Sequence, residues 1–152
     1  MALICPDCKE EMVVYTINNK QIDYCENGCR GLWFDQGELK SVCNNIKTEF
    51  SGEYREKTEA EVKAEGIRNC PRCKKPMDKV NKPEDTKIYI DICKKCRGFW
   101  LDHGELEALS AYFQKNRDKA IPATFAASSG FLAMEFCLDA VCDLVGGVFD
   151  LV

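Results

Sequence analysis

The chain has 152 residues and a net charge of −4, with 45% hydrophobic and 30% charged side chains. This length allows one ordinary domain, and the acidic balance excludes a uniformly basic coat for nucleic acid. The 11 cysteines are the unusual feature. Their odd number, their Cys-x-x-Cys spacing and the lack of an apolar leader after Met1 favour metal binding in a reducing cytoplasm. Disulfides in a secreted domain are the alternative.

The first forty residues combine two cysteine pairs with a predicted β-hairpin. Cys5 and Cys8 form a Cys-x-x-Cys pair, and Cys25 and Cys29 form a second pair with one more residue between them. A hairpin between the pairs would bring all four sulfurs together. Its predicted elements are a strand at 12–17, a turn at 18–19 and a returning strand at 21–24.

A helix is predicted after the second pair. Gly31 is expected to take a positive φ that wraps the backbone around a metal, and Trp33 to pack over the hairpin. Asp35 and Glu38 have capping-box spacing, in which the Asp accepts first-turn N–H groups and the Glu reaches back. A paired-carboxylate catalytic site and a base-stacking tryptophan are less favoured alternatives. The helix would carry an apolar stripe of Leu39, Val42, Cys43, Ile46 and Phe50.

Residues 51–67 form a charged connector with little apolar content. Glu53 with Lys57, and Glu59 with Lys63, are spaced i,i+4 as on the surface of a helix. We therefore predict a solvated helical linker or semi-rigid spacer that carries no site of its own.

The second half of the chain repeats the first at an offset of 65 to 67 residues. The motif Cys-Arg-Gly-x-Trp-x-Asp-x-Gly-Glu-Leu begins at Cys29 and again at Cys96, which indicates an internal duplication. Gly98, Trp100 and the acids Asp102 and Glu105 are the counterparts of the residues discussed above. The predicted elements are a strand at 77–80, a loop at 81–85, a strand at 87–92, and a helix with Leu106, Leu109 and Phe113 that packs on its own hairpin.

The cysteine pairs predict two four-thiolate metal sites, one in each copy. Two Zn²⁺ ions are expected, although Fe would accept the same ligands. Four cysteines leave no position for water or substrate, so we expect structural metal, no enzymatic activity and no small-molecule substrate. Mixing pairs from the two copies is the alternative, and the single histidine, His103, is expected at the surface. The ligands are Cys5, Cys8, Cys25 and Cys29 in site one, and Cys70, Cys73, Cys93 and Cys96 in site two.

Charge differs between the two copies. Residues 1–40 carry a net charge of −3, whereas residues 68–107 carry +3. Only the second copy is therefore expected to contact nucleic acid or an acidic protein surface. Solvation and compensation of the thiolate charge form the alternative role of its basic side chains. The candidate contact residues are Arg72, Lys74, Lys75, Lys79, Lys94, Lys95 and Arg97.

The C-terminal segment is apolar except for a stripe of acids. Glu135, Asp139 and Asp143 recur at every fourth residue within 131–152. Acids without flanking Lys or Arg argue against a membrane span. We expect a helix that docks on the protein, self-associates or binds a protein partner. Cys43 is expected to be a small core residue, and Cys137 and Cys142 are given no role.

The repeated motif resembles a known family. Cys-Pro-x-Cys, a hairpin and Cys-x-x-Cys-Arg-Gly-x-Trp-x-Asp-x-Gly-Glu-Leu together are similar to the TFIIB-like zinc ribbon, a transcription-factor-type zinc finger, over residues 5–40 and 70–107. The first copy departs from the pattern by the extra residue between Cys25 and Cys29. The resemblance implies a ribbon fold, bound zinc and a link to transcription.

We therefore predict a small metal-stabilised α+β fold of two tandem zinc ribbons, with a charged helical linker and an apolar C-terminal helix. The predicted boundaries are a first module at 1–50, a linker at 51–67, a second module at 68–119 and a tail at 120–152. The predicted function is a cytoplasmic, zinc-binding module that recruits macromolecules. The alternatives are an assembly scaffold that self-associates through 131–152, and a redox switch in which thiol oxidation ejects zinc.

Overall fold

The computed structural model describes residues 2–17, 19–36, 38, 52–81, 86–109 and 111–112. Its elements are β1 (Val13–Ile17), β2 (Lys20–Tyr24), β3 (Leu32–Phe34), α1 (Glu59–Ala64), β4 (Asp78–Asn81), β5 (Tyr89–Ile92) and β6 (Phe99–Leu101). Residues 105–109 and 111–112 are also helical. The predictions for the helical stripe from Leu39 to Phe50, for Phe113, and for the tail with Cys137 and Cys142 lie outside the described residues. No helix within the described part is long and apolar enough to cross a membrane.

Each module contains the predicted hairpin. β1 and β2 pair antiparallel, from Val13 opposite Tyr24 to Ile17 opposite Lys20. Asn19 in the connecting turn has a φ of 60°, a left-handed conformation that asparagine tolerates. β4 and β5 form the corresponding hairpin of the second module. Because each hairpin begins after one cysteine pair and ends at the next, it brings the two pairs to the same end of the module.

A third strand in each module joins the two hairpins into one sheet. β3 pairs with β2, β6 pairs with β5, and β3 and β6 pair with each other, all antiparallel. The strand order is β1-β2-β3-β6-β5-β4. The sequence analysis did not predict β3 and β6, because a three-residue apolar run shows no alternation from which a strand could be recognised. The modules therefore share a continuous sheet instead of being connected only by the linker.

The main hydrophobic core lies on one face of this sheet and is built by both modules. Phe34 and Phe99 are opposite each other in β3 and β6, and their rings stack with centroids 5.3 Å apart. Leu106 and Leu109 pack in the same core. As predicted, the cluster of these two leucines contains apolar residues of their own hairpin, and it also contains residues of the first module, which the prediction did not include. The buried members are Ile22, Leu32, Phe34, Ile88, Ile90, Ile92, Phe99, Leu101, Leu106 and Leu109.

The linker packs on the second module. The Tyr54 hydroxyl donates to the carbonyl of Lys87 at 2.7 Å, and the backbone N–H of Gly52 donates to Glu107 at 3.0 Å. Thr58 caps the short helix α1 through a capping box with Glu61. The prediction of a solvated spacer therefore does not hold for the whole linker.

Candidate metal centres

The eight cysteines of the predicted pairs lie in two groups of four. In each group, the four sulfur atoms are within 4.8 Å of one another. The Sγ–Sγ distance is 3.5 Å between Cys5 and Cys29, 3.3 Å between Cys8 and Cys25, and 3.6 Å between Cys70 and Cys96. A tetrahedral Zn²⁺ with Zn–S bonds of about 2.3 Å would hold its sulfurs about 3.8 Å apart. Each copy thus closes its own group, and the structure does not mix pairs from the two copies.

The first cysteine pair of each module forms a tight knuckle. The backbone N–H of Cys5 donates to the carbonyl of Glu10 at 2.9 Å, and that of Cys70 donates to Lys75 at 2.8 Å. Lys9 and Lys74, directly after the pairs, have left-handed φ values of 69° and 58°. Their ammonium groups fold back and donate to the carbonyls of Pro6 and Pro71, at 2.6 and 2.7 Å respectively. These bonds fold each lysine side chain onto its own knuckle.

The second pair forms a knuckle of the same design. The N–H of Cys93 donates to the carbonyl of Gly98 at 2.9 Å, and the N–H of Cys25 donates to Gly31 at 3.0 Å. Arg30 and Arg97 carry the positive φ of this turn, each at 59°. The prediction of a positive φ at Gly31 and Gly98 is wrong, because the left-handed residue is the arginine immediately before each glycine.

Gly28 accommodates the extra residue in the first module. Its α-carbon lies against the sulfurs, so a β-carbon there would overlap the Cys8 sulfur and sit 2.9 Å from that of Cys25. The knuckle is longer by one residue, with Arg30 donating to the carbonyl of Cys25, yet the four sulfurs still converge. Gly28 was not among the predicted site residues, although a glycine inside an enlarged knuckle was the signal for it.

Gly31 and Gly98 are required for a different reason, which is contact with the other module. A β-carbon on Gly31 would overlap the ring of Trp100, with Cη2 only 2.6 Å away. A β-carbon on Gly98 would overlap the ring of Trp33 and lie 3.0 Å from the carbonyl oxygen of Phe34. Each tryptophan therefore packs on the knuckle of the opposite module, not only over its own hairpin as predicted.

The acids after each tryptophan connect strand and helix. The indole N–H of Trp33 donates to Asp35 at 2.9 Å, and that of Trp100 donates to Asp102 at 2.8 Å. The carboxylate of Glu105 accepts the backbone N–H of Asp102 at 2.8 Å, as Glu38 does for Asp35 at 2.7 Å. The glutamates reach back as a capping box requires, while the aspartate side chains orient the tryptophans.

A cluster of buried charges lies beside these acids. Arg68, whose side chain is 5% exposed, contacts Asp91 at 2.6 Å and Asp102 at 3.2 Å. Lys57 of the linker also bonds to Asp102, and it contacts Glu65 at 2.7 Å. Burial opposes ionisation of Asp102, but the neighbouring Arg68 and Lys57 outweigh it and lower its pKa. Lys57 and Glu65 of the charged linker thus belong to an ionic cluster of the second module, whereas other linker charges, such as Arg55, are exposed.

The seven predicted contact residues fall into two groups. Arg72 forms ion pairs with Asp23 and Asp35 of the first module, at 2.9 and 2.7 Å, and Lys79 contacts Glu65 at 2.7 Å. These two, with Lys74 on its own knuckle, make internal contacts. Arg72 and Lys74 are nevertheless exposed, as are the remaining four: Lys75, Lys94, Lys95 and Arg97. Lys94 pairs with Asp78 at 2.9 Å with both side chains at least half exposed, which makes this a weak pair.

His103 lies apart from both cysteine groups. Its ring is against the backbone of Gly52, where a β-carbon would overlap it, and the residue is half-buried. One side of the ring is therefore against the linker, while the residue stays partly exposed, which agrees with the predicted surface position.

The donor set of both groups fits a thiophilic cation. Backbone N–H groups approach the sulfurs, from Asp7 to Cys5 at 3.4 Å and from Cys73 to Cys70 at 3.2 Å, as in four-cysteine zinc knuckles. Burial raises the pKa of the Cys25 and Cys70 thiols to about 11. The hydrogen bond with Cys29 lowers the pKa of Cys5 to about 5, so a metal-free group retains some but not all of its thiol protons at neutral pH. Metal binding must therefore release protons and weaken as the pH falls. Four sulfur ligands fill a tetrahedral shell, so either group could hold Zn²⁺ in a structural role.

A comparison with protein families agrees with this geometry. The family described as transcription factor zinc-finger, of the TFIIB-type zinc ribbon, matches residues 4–45 and 69–112, which together make up more than half of the chain. The two matches coincide with the two cysteine groups and confirm two tandem copies. Comparisons with curated proteins and with solved structures gave no match.

Proposed function

Since the chain belongs to the transcription factor zinc-finger family, we propose that it is a non-enzymatic protein that holds two Zn²⁺ ions and presents its second module to nucleic acid or to an acidic protein surface. The observation that supports this proposal is the pair of four-thiolate groups. Four protein ligands leave no coordination position for a substrate, so the ions would stabilise a binding surface instead of performing chemistry. The cytoplasm, which keeps thiols reduced, is the compartment in which such sites persist.

The exposed lysines of the second module are the proposed contact. Lys94 and Lys95 lie between the ligands Cys93 and Cys96, and both are exposed. The metal knuckle would therefore fix their backbone directly. A phosphate or carboxylate of a partner could displace Asp78 from Lys94, because an exposed ion pair contributes at most about 1 kcal/mol. Arg72 and Lys79 are less suitable, since acids of the protein already neutralise them.

Salt-dependent binding distinguishes nucleic acid from a protein partner. Labelled duplex DNA and single-stranded RNA would be titrated with the zinc-loaded chain at several salt concentrations. If phosphates are the partner, affinity should fall steeply with salt, and Lys94→Glu with Lys95→Glu should reduce the logarithmic slope by about 1 for each lysine.

The matched control is Lys20→Glu, an exposed charge reversal in the first module. It should leave the slope nearly unchanged. Absence of binding at low salt, or binding that salt does not affect, would exclude nucleic acid. The acidic protein surface would then be tested by capture with the zinc-loaded chain, where the same two charge reversals should abolish binding.

A further inference from the structure

Each cysteine group is built by one module but is contacted from outside by the other. In site two, the carbonyl of Gly98 accepts the N–H of Cys93 at 2.9 Å, which closes the second knuckle. The α-carbon of the same glycine lies against the ring of Trp33 from the first module. This part of the knuckle is therefore enclosed between its own cysteines and a side chain of the opposite module.

Site one has the same arrangement with the modules exchanged. The carbonyl of Gly31 accepts the N–H of Cys25 at 3.0 Å. Its α-carbon lies against Trp100 of the second module. Both tryptophans are completely buried, in one cluster with Cys5, Cys25, Cys70 and Cys93.

Ion pairs connect the first knuckle of each site to the opposite module. Asp7, which lies between Cys5 and Cys8, bonds to Arg68 of the second module at 2.8 Å. Arg72, which lies between Cys70 and Cys73, bonds to Asp35 of the first module at 2.7 Å. Each of the four knuckles thus has at least one contact that crosses between the modules.

We propose that Trp33 and Trp100 are positioning residues for the opposite metal site, so that zinc in one site increases the affinity of the other. A site without metal loses the metal–sulfur bonds that order its knuckles. The strand that follows the second knuckle and carries the tryptophan then loses its fixed position. The glycine of the opposite knuckle then loses the ring that holds it in place. Coupling of this kind is reciprocal, because each site must change the affinity of the other by the same factor. The inference rests on metal binding and not on the partner proposed above.

Single-site variants measure the coupling directly. Cys70→Ser with Cys73→Ser leaves only site one, and Cys5→Ser with Cys8→Ser leaves only site two. Competition with a zinc chelator would give the zinc association constant of each single-site variant. The same measurement on the full chain would give its overall association constant for two ions. If the sites are independent, the overall constant equals the product of the two single-site constants. We expect it to exceed that product by about tenfold or more. Equality would overturn the proposal.

The release of zinc from each site tests whether the coupling runs through Trp33 and Trp100. This experiment remains decisive if a single-site variant does not fold. Zinc-loaded protein would be exposed to a chelator and a thiol-alkylating reagent, and peptide mass spectrometry would give the alkylation rate of each cysteine group. Trp33→Leu should increase the ratio of the site-two rate to the site-one rate, and Trp100→Leu should decrease it. Ile22→Ala, which removes buried volume from the first module on the opposite sheet face, is the control and should not increase this ratio. Faster alkylation of site one alone in Trp33→Leu would overturn the proposal.

Discussion

Asp7 and Arg72 occupy equivalent positions in the two copies, each directly after the proline of a Cys-Pro-x-Cys knuckle, yet they carry opposite charges. Both still form an ion pair that crosses between the modules, Asp7 with Arg68 at 2.8 Å and Arg72 with Asp35 at 2.7 Å. The duplicated halves are therefore complementary and not interchangeable.

Arg68 is expected to be the most important charged residue for stability. Removing one partner of a buried ion pair costs about 3–5 kcal/mol when the other charge is left unpaired. In Arg68→Gln, Asp91 keeps Lys79 and Asp102 keeps Lys57, so the expected cost is about 2–3 kcal/mol. The free energy of unfolding, measured with denaturant on the zinc-loaded protein, should fall by about this amount. Arg55→Gln is the control, because the Arg55–Glu61 pair is exposed and contributes less than about 1 kcal/mol. Equal effects of the two substitutions would contradict this interpretation.

Gly98 is expected not to tolerate even one methyl group. In Gly98→Ala the new β-carbon would overlap Trp33, and overpacking of a rigid core costs about 1–3 kcal/mol or more. Gly66→Ala is the comparison, because nothing surrounds that position and only its φ of 69° disfavours alanine, by about 1 kcal/mol. Thermal unfolding of both zinc-loaded variants should show a lower melting temperature for Gly98→Ala than for Gly66→Ala. A higher melting temperature for Gly98→Ala than for Gly66→Ala would show that Trp33 moves aside without cost.

Gly28→Ala should weaken zinc binding at site one and leave site two much less affected. The reason is local, since the added β-carbon would occupy the space between the sulfurs of Cys8 and Cys25. Chelator competition with site-resolved cysteine alkylation measures the effect, and the loss should be at least about tenfold in affinity, which corresponds to about 1.4 kcal/mol. Asn27→Ala changes the neighbouring exposed residue and should have little effect. Unchanged affinity in Gly28→Ala would mean that the knuckle adopts another path.

Glu105 should make stability depend on pH in the neutral range. Burial and the neighbouring Asp102 raise the pKa of its carboxyl from 4.5 to about 8 in the folded protein. The folded state then binds more protons than the unfolded state between these values, so stability decreases as the pH rises, by at most about 1.4 kcal/mol per unit. Glu105→Gln cannot ionise but still accepts the N–H of Asp102. Denaturant unfolding of both zinc-loaded proteins should therefore show the variant gaining stability over the wild type from pH 5 to pH 8, and parallel curves would contradict the raised pKa.

Removal of the metal should unfold both halves of the protein. Binding of Zn²⁺ to small four-ligand sites contributes about 10–16 kcal/mol, which is more than modules of this size obtain from burial of apolar residues. Excess chelator should abolish the near-ultraviolet circular dichroism of Trp33 and Trp100, and added zinc should restore it. Persistence of this signal in metal-free, reduced protein would show that the shared core is sufficient for folding.

Much of the site could be predicted from the sequence because its determinants are local. The spacing from Cys5 to Cys8 and from Cys93 to Cys96 specifies a knuckle within four residues, and the hairpins between the pairs follow from alternation and turn residues. The role of the glutamate in each capping box likewise follows from its position three residues after the aspartate. The repetition of the motif identified two copies without knowledge of the fold.

The relation between the copies could not be predicted, because it depends on contacts between residues far apart in the sequence. Nothing local indicates that Leu32–Phe34 pairs with Phe99–Leu101, since each strand is only three residues long. Gly31 is required because of Trp100, and Gly98 because of Trp33, each a residue of the other copy. The sequence of a single copy therefore suggests only a backbone role for these glycines. For the same reason Lys57 looked like a solvated residue, although it bonds to Asp102.

The pairing of β3 with β6 is symmetric, with Trp33 opposite Trp100, Leu32 opposite Leu101 and Phe34 opposite Phe99. Equivalent residues thus exchange places across a local two-fold axis, which is the pattern of an isologous dimer interface. A molecule with one copy would need a second molecule to complete this sheet and would fall apart on dilution. Covalent fusion of the halves makes the association intramolecular, so the six-stranded platform persists at any protein concentration.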